Sequence, residues 1–123
     1  MGEVDRGVLG QRAEQLCAEA LERRGYRVRD RNWRTREGEL DIVAESADTL
    51  CFVEVRMRTT GAWGDPSSTV SRAKQQRVVR AALRYLQRRP ASARMIRFDV
   101  MTVVGQGKDA AVEHLPGAFD AGM

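Results

Sequence analysis

The sequence has few of the residues on which many enzyme classes depend. His114 is its one histidine, and Cys17 and Cys51, its two cysteines, lie far apart among apolar neighbours. A zinc site built from cysteine and histidine cannot be assembled from this set. A Ser–His or Cys–His hydrolase would have to use a histidine close to the C-terminal end. We expect both cysteines to be reduced thiols in the core rather than partners in a disulfide.

Long apolar segments are also absent. The longest purely apolar stretches have about four residues, as in 50–53, whereas a membrane span needs roughly 20. The first residues lack the basic-then-apolar order of a secretion signal. We therefore expect a cytoplasmic protein with no membrane partner.

The composition is that of one folded domain. Apolar residues make up 42% of 123 residues, enough for one core and too few for two. The charged fraction of 31% and ordinary glycine and proline counts do not fit a disordered or fibrous chain. We predict a single domain over residues 1–123, with an ordered core at about 7–119.

Charge is divided into blocks along the chain. Residues 23–36 have a net charge of +6, residues 37–54 have −6, and residues 66–98 have +9. Carboxylates between basic segments are what a metal-dependent enzyme acting on a polyanion needs, because carboxylates hold the cation and arginines orient phosphates. The alternative is an ordinary solvated basic surface, with the excess of arginine over lysine, 19 to 2, reflecting a coding bias of the source genome.

The pattern of apolar residues predicts the element order α-β-β-β-α-β, with a further short strand at the end. The segments are a helix at 7–24, a short strand at 26–29, a hairpin of 39–45 and 50–58, a helix ending before Pro90, a strand at 95–104 and an edge strand at 111–115. The segments 32–38 and 59–68 are predicted to be loops.

The hairpin brings two carboxylates together. If residues 46–49 form its turn, Glu45 pairs with Leu50 and Asp41 lies opposite Glu54. Leu40 and Ile42 are then predicted to share the opposite, apolar face. Like charges on neighbouring strands are unfavourable, so the pair needs a cation, a proton or an arginine. Mg²⁺ or Mn²⁺ satisfies it, and neutralisation by an arginine such as Arg56 is the alternative.

The same residues carry a family resemblance. The segments 38–44 (Gly-Glu-Leu-Asp-Ile-Val-Ala) and 52–56 (Phe-Val-Glu-Val-Arg) resemble the split motif of the PD-(D/E)xK nuclease superfamily. More closely, the chain resembles the YraN family of endonuclease-like proteins. That match runs from Gly10 and Glu14 through Asn32, Arg34 and the hairpin to Lys74 and the segment 97–100.

The resemblance implies a restriction-endonuclease-like fold, a mixed β-sheet flanked by helices. It implies that Asp41 and Glu54 bind the metal, that Glu14 adds a third acid, and that Arg56 stands at the motif lysine. Arginine there departs from the superfamily, although it also occurs within the YraN family. Because a guanidinium has a pKa above about 12, Arg56 can orient phosphate but cannot act as a base.

Two of these roles have an alternative. Lys74 precedes the apolar stripe of the second helix by one turn, so it could replace the motif lysine or extend along that stripe to solvent. Glu14 borders the buried face of the first helix, where the alternative to a metal ligand is a salt bridge to an arginine.

Arginines near the hairpin are candidates for phosphate contacts. They are Arg34, Arg36, Arg72, Arg77 and Arg80. Trp33 and Trp63 lie in the predicted loops, where an aromatic ring stacks on a base or covers the core edge.

We expect a Mg²⁺- or Mn²⁺-dependent nuclease that cleaves DNA, at branched or other non-duplex structures, with nucleic acid as partner. The alternatives are a non-catalytic nucleic-acid-binding module with the same fold and a protein-interaction component. A homodimer is a further expectation, since a small domain that cuts two strands needs a second copy.

Overall fold

The computed structural model describes residues 6–58, 70–90 and 95–121. Its elements are helix α1 (Arg6–Arg23), strands β1 (Arg27–Arg34), β2 (Glu39–Glu45) and β3 (Thr49–Arg58), helix α2 (Arg72–Arg88), and strands β4 (Met95–Val104) and β5 (Ala111–Phe119). This order confirms the predicted mixed α/β arrangement, including the last strand. The predicted loop at 59–68, with Trp63, lies outside the described residues.

The five strands form one sheet in the order β1-β2-β3-β4-β5. Strands β3 and β4 pair in parallel and are connected through α2, whereas the other neighbours pair antiparallel. A parallel pair needs such a crossover because a tight turn cannot join its strands. The sheet is therefore mixed, with α1 on one face and α2 on the other.

Both faces of the sheet are apolar. Between α1 and the sheet, the buried side chains include Cys17, Leu21, Ile42, Val53 and Met101. Between α2 and the sheet, they include Val43, Phe52, Val78, Tyr85 and Phe98. Cys17 and Cys51 are both buried free thiols, as predicted.

The helix ends follow local chemistry. Helix α1 is followed by Gly25, whose φ of 92° is a left-handed conformation that glycine adopts without strain. Helix α2 begins after Ser71, whose hydroxyl accepts a hydrogen bond from the Lys74 N–H at 3.1 Å. It ends before Pro90, which cannot continue a helix.

Strands β1 and β2 reverse their faces at one position. Ile42 packs under α1, whereas Leu40 packs under α2. Their β1 partners, Arg31 and Trp33, diverge in the same way. Residues two apart on a regular strand share a face, so both strands turn over between these pairs. Asn32, midway in β1, has a φ of 54°, in the left-handed region that asparagine tolerates.

This reversal corrects the predicted hairpin. The expectation that Leu40 shares a face with Ile42 is wrong, because regular alternation stops between them. The β2–β3 ladder ends at Ile42–Val53, one pair short of the predicted Asp41–Glu54 pair. Strand β1 also continues through the predicted loop to Arg34, which places Trp33 on a strand. Strand β5 extends beyond the predicted 111–115 to Phe119.

Asp99 connects β4 to the edge strand β5 through hydrogen bonds. It is fully buried on β4 and accepts two hydrogen bonds from Arg97, one from His114 Nε2 at 2.8 Å and one from the Gly117 N–H at 3.0 Å. Burial alone would raise the pKa of Asp99, but the bonds from His114, Arg97 and Gly117 lower it to about 2. Asp99 therefore has the structural role that its buried strand suggests.

We predict that Asp99→Asn destabilises the protein by about 3 kcal/mol, because it leaves a partly buried guanidinium without its anion. A carboxyl group with a lowered folded-state pKa stabilises the fold above its unfolded pKa. That stabilisation is lost as the pH falls from about 4 towards 2. Urea unfolding across this range tests both statements, with Asp109→Asn at an exposed position as the control. Equal stability of the two variants at pH 7 would contradict them.

Candidate active site

Asp41 projects from the point where β2 reverses. Its Oδ2 accepts a hydrogen bond from the Val55 N–H at 2.9 Å, so the side chain is anchored to β3 where the regular ladder has ended. Burial raises the pKa of Asp41, and the negative charges of Glu14 and Glu39 raise it further. The Val55 hydrogen bond and the positive charge of Lys74 act in the opposite direction.

Glu54 is the second carboxylate of the site. It lies on β3 with only 4% of its surface exposed. Burial and the neighbouring charge of Asp41 raise the pKa of Glu54 to about 7, against the opposing effects of Lys74 and Arg56. The two carboxylates therefore act on each other in a region poor in water, where like charges are costly.

Lys74 places its amino group against this pair. Its Nζ lies 3.5 Å from Glu54 Oε1, and the side chain is 30% exposed. Its positive charge lowers the pKa of both Glu54 and Asp41. The amino group of Lys74 therefore lies beside Glu54, and its role in place of the motif lysine stays a prediction.

Glu14 approaches the site from α1. Its Oε1 accepts a hydrogen bond from Asn32 Nδ2 at 2.8 Å and lies 3.9 Å from Arg31 Nη2. Its charge also raises the pKa of Asp41. Glu14 thus has the arginine contact of one alternative and the proximity to Asp41 of the other, and its role as a metal ligand stays a prediction.

Arg56 and Glu39 flank the two carboxylates. Arg56 is near enough to Glu54 to lower its pKa. Glu39 on β2 forms an ion pair at 3.3 Å with Arg34, its pairing partner on β1. Glu39 also contributes negative charge at Asp41.

The acidic residues fit a divalent cation through two carboxylates. Within 6–58, 70–90 and 95–121, no three histidine, cysteine or acidic side chains converge into a metal-binding group. Mg²⁺ commonly takes one or two protein carboxylates and fills its remaining positions with water and phosphate oxygens. The partly buried Asp41 and the buried Glu54, whose negative charges repel each other, supply such a pair.

The predicted phosphate contacts are divided among three clefts. Arg34 and Arg77 line a cleft of about 320 Å³ together with Lys74 and Glu39, which connects it to the carboxylates. Arg72 and Arg80 line a second cleft of about 350 Å³. Arg36 lines a third cleft with Arg84 and Arg88.

The first cleft depends on a close approach of the turn after β1 to α2. A Cβ atom on Gly38 would lie 3.0 Å from the Arg77 carbonyl oxygen, so a larger residue would push the turn away from the helix. Thr35 closes this turn, since its hydroxyl accepts the Gly38 N–H and its own N–H donates to the Gly38 carbonyl. The turn holds Arg34 beside the helix that carries Lys74 and Arg77.

Trp33 covers the edge of the core. Its ring packs edge-on against Tyr85 at a centroid distance of 5.2 Å, and the Arg88 guanidinium lies 5.9 Å from its centroid. The interpretation of Trp33 as core cover is therefore confirmed. Trp63 lies outside the described residues.

Sequence reasoning missed the link between Glu14 and Asn32. The sequence places Asn32 in a predicted loop and in the family match, and the one further signal it offers is that asparagine tolerates left-handed backbone. The Tyr85 hydroxyl, which donates to Asp30 at 2.7 Å, was missed as well. No local sequence pattern indicates that contact, because 55 residues separate the two side chains.

These features define an α/β protein with a mixed sheet, a helix on each face and a buried and a partly buried carboxylate beside a lysine. The model of the uncharacterised protein family UPF0102 matches residues 13–103, which include Glu14, Asp41, Glu54 and Lys74. The chain belongs to this family. Membership at this level confirms the YraN-like resemblance.

Relatives of the same family match nearly the whole chain. A UPF0102 protein of Myxococcus xanthus is 60% identical over 120 residues, covering 98% of this chain and 95% of the relative. One of Anaeromyxobacter dehalogenans is 46% identical over 115 residues, covering 94% and 86%. One of Geobacter metallireducens is 40% identical over 112 residues, covering 91% and 92%. Among the described residues, no helix is long and apolar enough to cross a membrane.

We predict that Glu54→Gln stabilises the metal-free protein by about 2 kcal/mol at pH 8, because it removes a buried negative charge that lies near the charge of Asp41. Between pH 4.5 and about 7 the folded state binds a proton that the unfolded state has lost. Wild-type stability therefore falls as the pH rises through this window. The advantage of the variant should disappear as the pH falls to about 4.5.

Thermal melts in EDTA at the two ends of this window measure the effect, with the exposed Glu22→Gln as the matched control. A destabilised Glu54→Gln protein at pH 8 would show that the ionised carboxylate is compensated in the fold.

Proposed function

We propose that this protein is a metal-dependent nuclease that hydrolyses phosphodiester bonds in DNA. The observation that carries the proposal is the pair of the partly buried Asp41 and the buried Glu54, with Lys74 between Glu54 and a cleft lined by arginines. The resemblance of the hairpin to the PD-(D/E)xK motif supports the same reaction. Cleavage of both strands of a duplex would require a second copy of the chain.

Asp41 and Glu54 would hold Mg²⁺ or Mn²⁺. A divalent cation between carboxylates supplies Lewis-acid activation of water at neutral pH. In this chain the two carboxylates repel each other and share the amino group of Lys74. The electrostatic conditions therefore favour uptake of a further positive charge.

The protein's own side chains would position the substrate. Arg34 and Arg77 line the cleft that leads to the carboxylates, where guanidinium groups neutralise and orient phosphates. Lys74 lies between the cleft and Glu54, so its ammonium group can stabilise charge at the reacting phosphate. Unlike Arg56, it can also donate or lose a proton, which is the capacity expected of the motif lysine.

A non-catalytic nucleic-acid-binding module is the second candidate. The observation that favours it is Arg56 at the motif lysine position, since a guanidinium cannot exchange protons in the reaction. The engagement of Glu14 by Asn32 and Arg31 favours it too, because these contacts compete with metal ligation. The two candidates share the arginine-lined cleft and differ in metal-dependent cleavage.

We predict that the wild-type protein cleaves at least one member of a panel of labelled duplex, single-stranded, flap and four-way-junction DNAs with Mg²⁺ or Mn²⁺. Asp41→Ala and Glu54→Ala should abolish cleavage, and Lys74→Gln should reduce it by about 100-fold or more, the range of a positioned acid–base group. Gel assays measure the products, and Glu22→Gln serves as the control. If the protein binds these DNAs but cleaves none of them, the result would favour the non-catalytic nucleic-acid-binding module.

The arginine-lined cleft should make DNA binding sensitive to salt. The affinity for duplex DNA should fall steeply as the salt concentration rises, because binding to phosphates releases counterions. Replacing Arg34 and Arg77 together by alanine should reduce the log–log salt slope by about 2, since each duplex phosphate contact contributes about 0.9. Fluorescence anisotropy in EDTA measures the slope, with the exposed Arg23→Ala and Arg24→Ala double variant as a charge-matched control. A salt-independent affinity would contradict both nucleic-acid candidates.

A further inference from the structure

A second basic cleft lies along α2 and is continuous with an aromatic depression. Arg72 and Arg80 line the cleft, and Phe98 and Phe119 line the depression of about 480 Å³. The two share residues 120–121, at the end of β5. Together they form what we call the α2–β5 surface. None of these four side chains lines the cleft that leads to Asp41 and Glu54.

Among the described residues, α2 covers the sheet unevenly. The helix contacts β2 most extensively and approaches the start of β4 and the end of β5 less closely. Ile96 is 38% exposed there, and Phe119 is partly buried. The Phe119 ring stacks on Phe98 at a centroid distance of 5.3 Å with an angle of 20° between the ring planes. Phe98 in turn stacks on Phe52, so the aromatic platform is anchored in the core.

The basic side of the surface carries positive charge that is not paired with acidic side chains of the described residues. Arg72 and Arg80 are exposed, and neither has an acidic partner among the described residues. The acid that lines the cleft is Asp120, which is engaged in an interaction of its own. Elsewhere on α2, Arg84 and Arg89 are paired with Glu37 and Asp30. Uncompensated guanidinium groups beside a rigid aromatic platform are complementary to phosphates with attached bases.

We propose that the α2–β5 surface binds unpaired nucleotides of single-stranded nucleic acid, with phosphates at Arg72 and Arg80 and a base against Phe119. A paired base inside a duplex already has its faces stacked on its neighbours, so a protein ring can stack only on an unpaired one. This inference rests on the proposed function and specifies its substrate class. A substrate that reaches both clefts of α2 has a single-stranded segment.

Anisotropy with a short labelled oligothymidine in EDTA tests the proposal independently of cleavage. Arg72→Ala with Arg80→Ala should weaken binding by about tenfold or more through lost phosphate contacts. Phe119→Leu, which keeps an apolar side chain in the core, should weaken it about fivefold or more through lost stacking. Arg23→Ala with Arg24→Ala is the charge-matched control and should change the affinity less than about twofold. A blunt-ended duplex of two complementary strands, which has no loop, should be bound equally by wild type and Phe119→Leu.

Three results would overturn the proposal. They are unchanged single-strand affinity in Phe119→Leu with an unaltered melting temperature, an equal loss for single strand and duplex, and no binding of the oligonucleotide by the wild type. The last result would leave the surface to an acidic protein segment. Metal-dependent cleavage of duplex DNA in that case would keep the proposed nuclease and refute only its single-stranded substrate.

Discussion

The reversal of β1 and β2 at Asn32 and Asp41 is the constraint on which the candidate site depends. A regular strand pair would continue the backbone ladder past Ile42, whereas here the Asp41 carboxylate bonds to the Val55 N–H. The same reversal turns Asn32 to α1, where its amide binds Glu14. One local departure from regular pleating therefore connects α1, β1, β2 and β3 at a single point.

Because this point is partly shielded from water, the energy of the site depends mainly on the balance of its charges. Glu54 is buried and Asp41 is partly buried, and the pKa of each is raised by burial and by neighbouring carboxylates. Uncompensated buried charge is among the most costly features of a protein interior. Lys74 and Arg56 both lower the pKa of Glu54, which nevertheless stays raised to about 7. Asp99 on β4 is bound by Arg97 and His114, and its pKa is lowered to about 2. This difference separates a structural acid from the two acids for which we propose a cation.

Much of the fold was predictable because its signals are local. The spacing of apolar residues predicts α1, the hairpin and the long buried strand β4. Counting residue pairs back from the hairpin turn places Asp41 near Glu54. The face reversal was not predictable in that way, since counting assumes regular alternation and the left-handed Asn32 breaks it. The division of the arginines among separate clefts depends on where α2 crosses the sheet, which no spacing in the helix itself specifies.

The central claim is that Asp41 and Glu54 together bind a divalent cation, and Mn²⁺ titration followed by electron paramagnetic resonance tests it most directly. The account predicts one Mn²⁺ bound per chain, lost in Asp41→Asn and in Glu54→Gln and retained in Glu22→Gln. Absence of Mn²⁺ binding by the wild type, or binding that survives both substitutions at the pair, would contradict it.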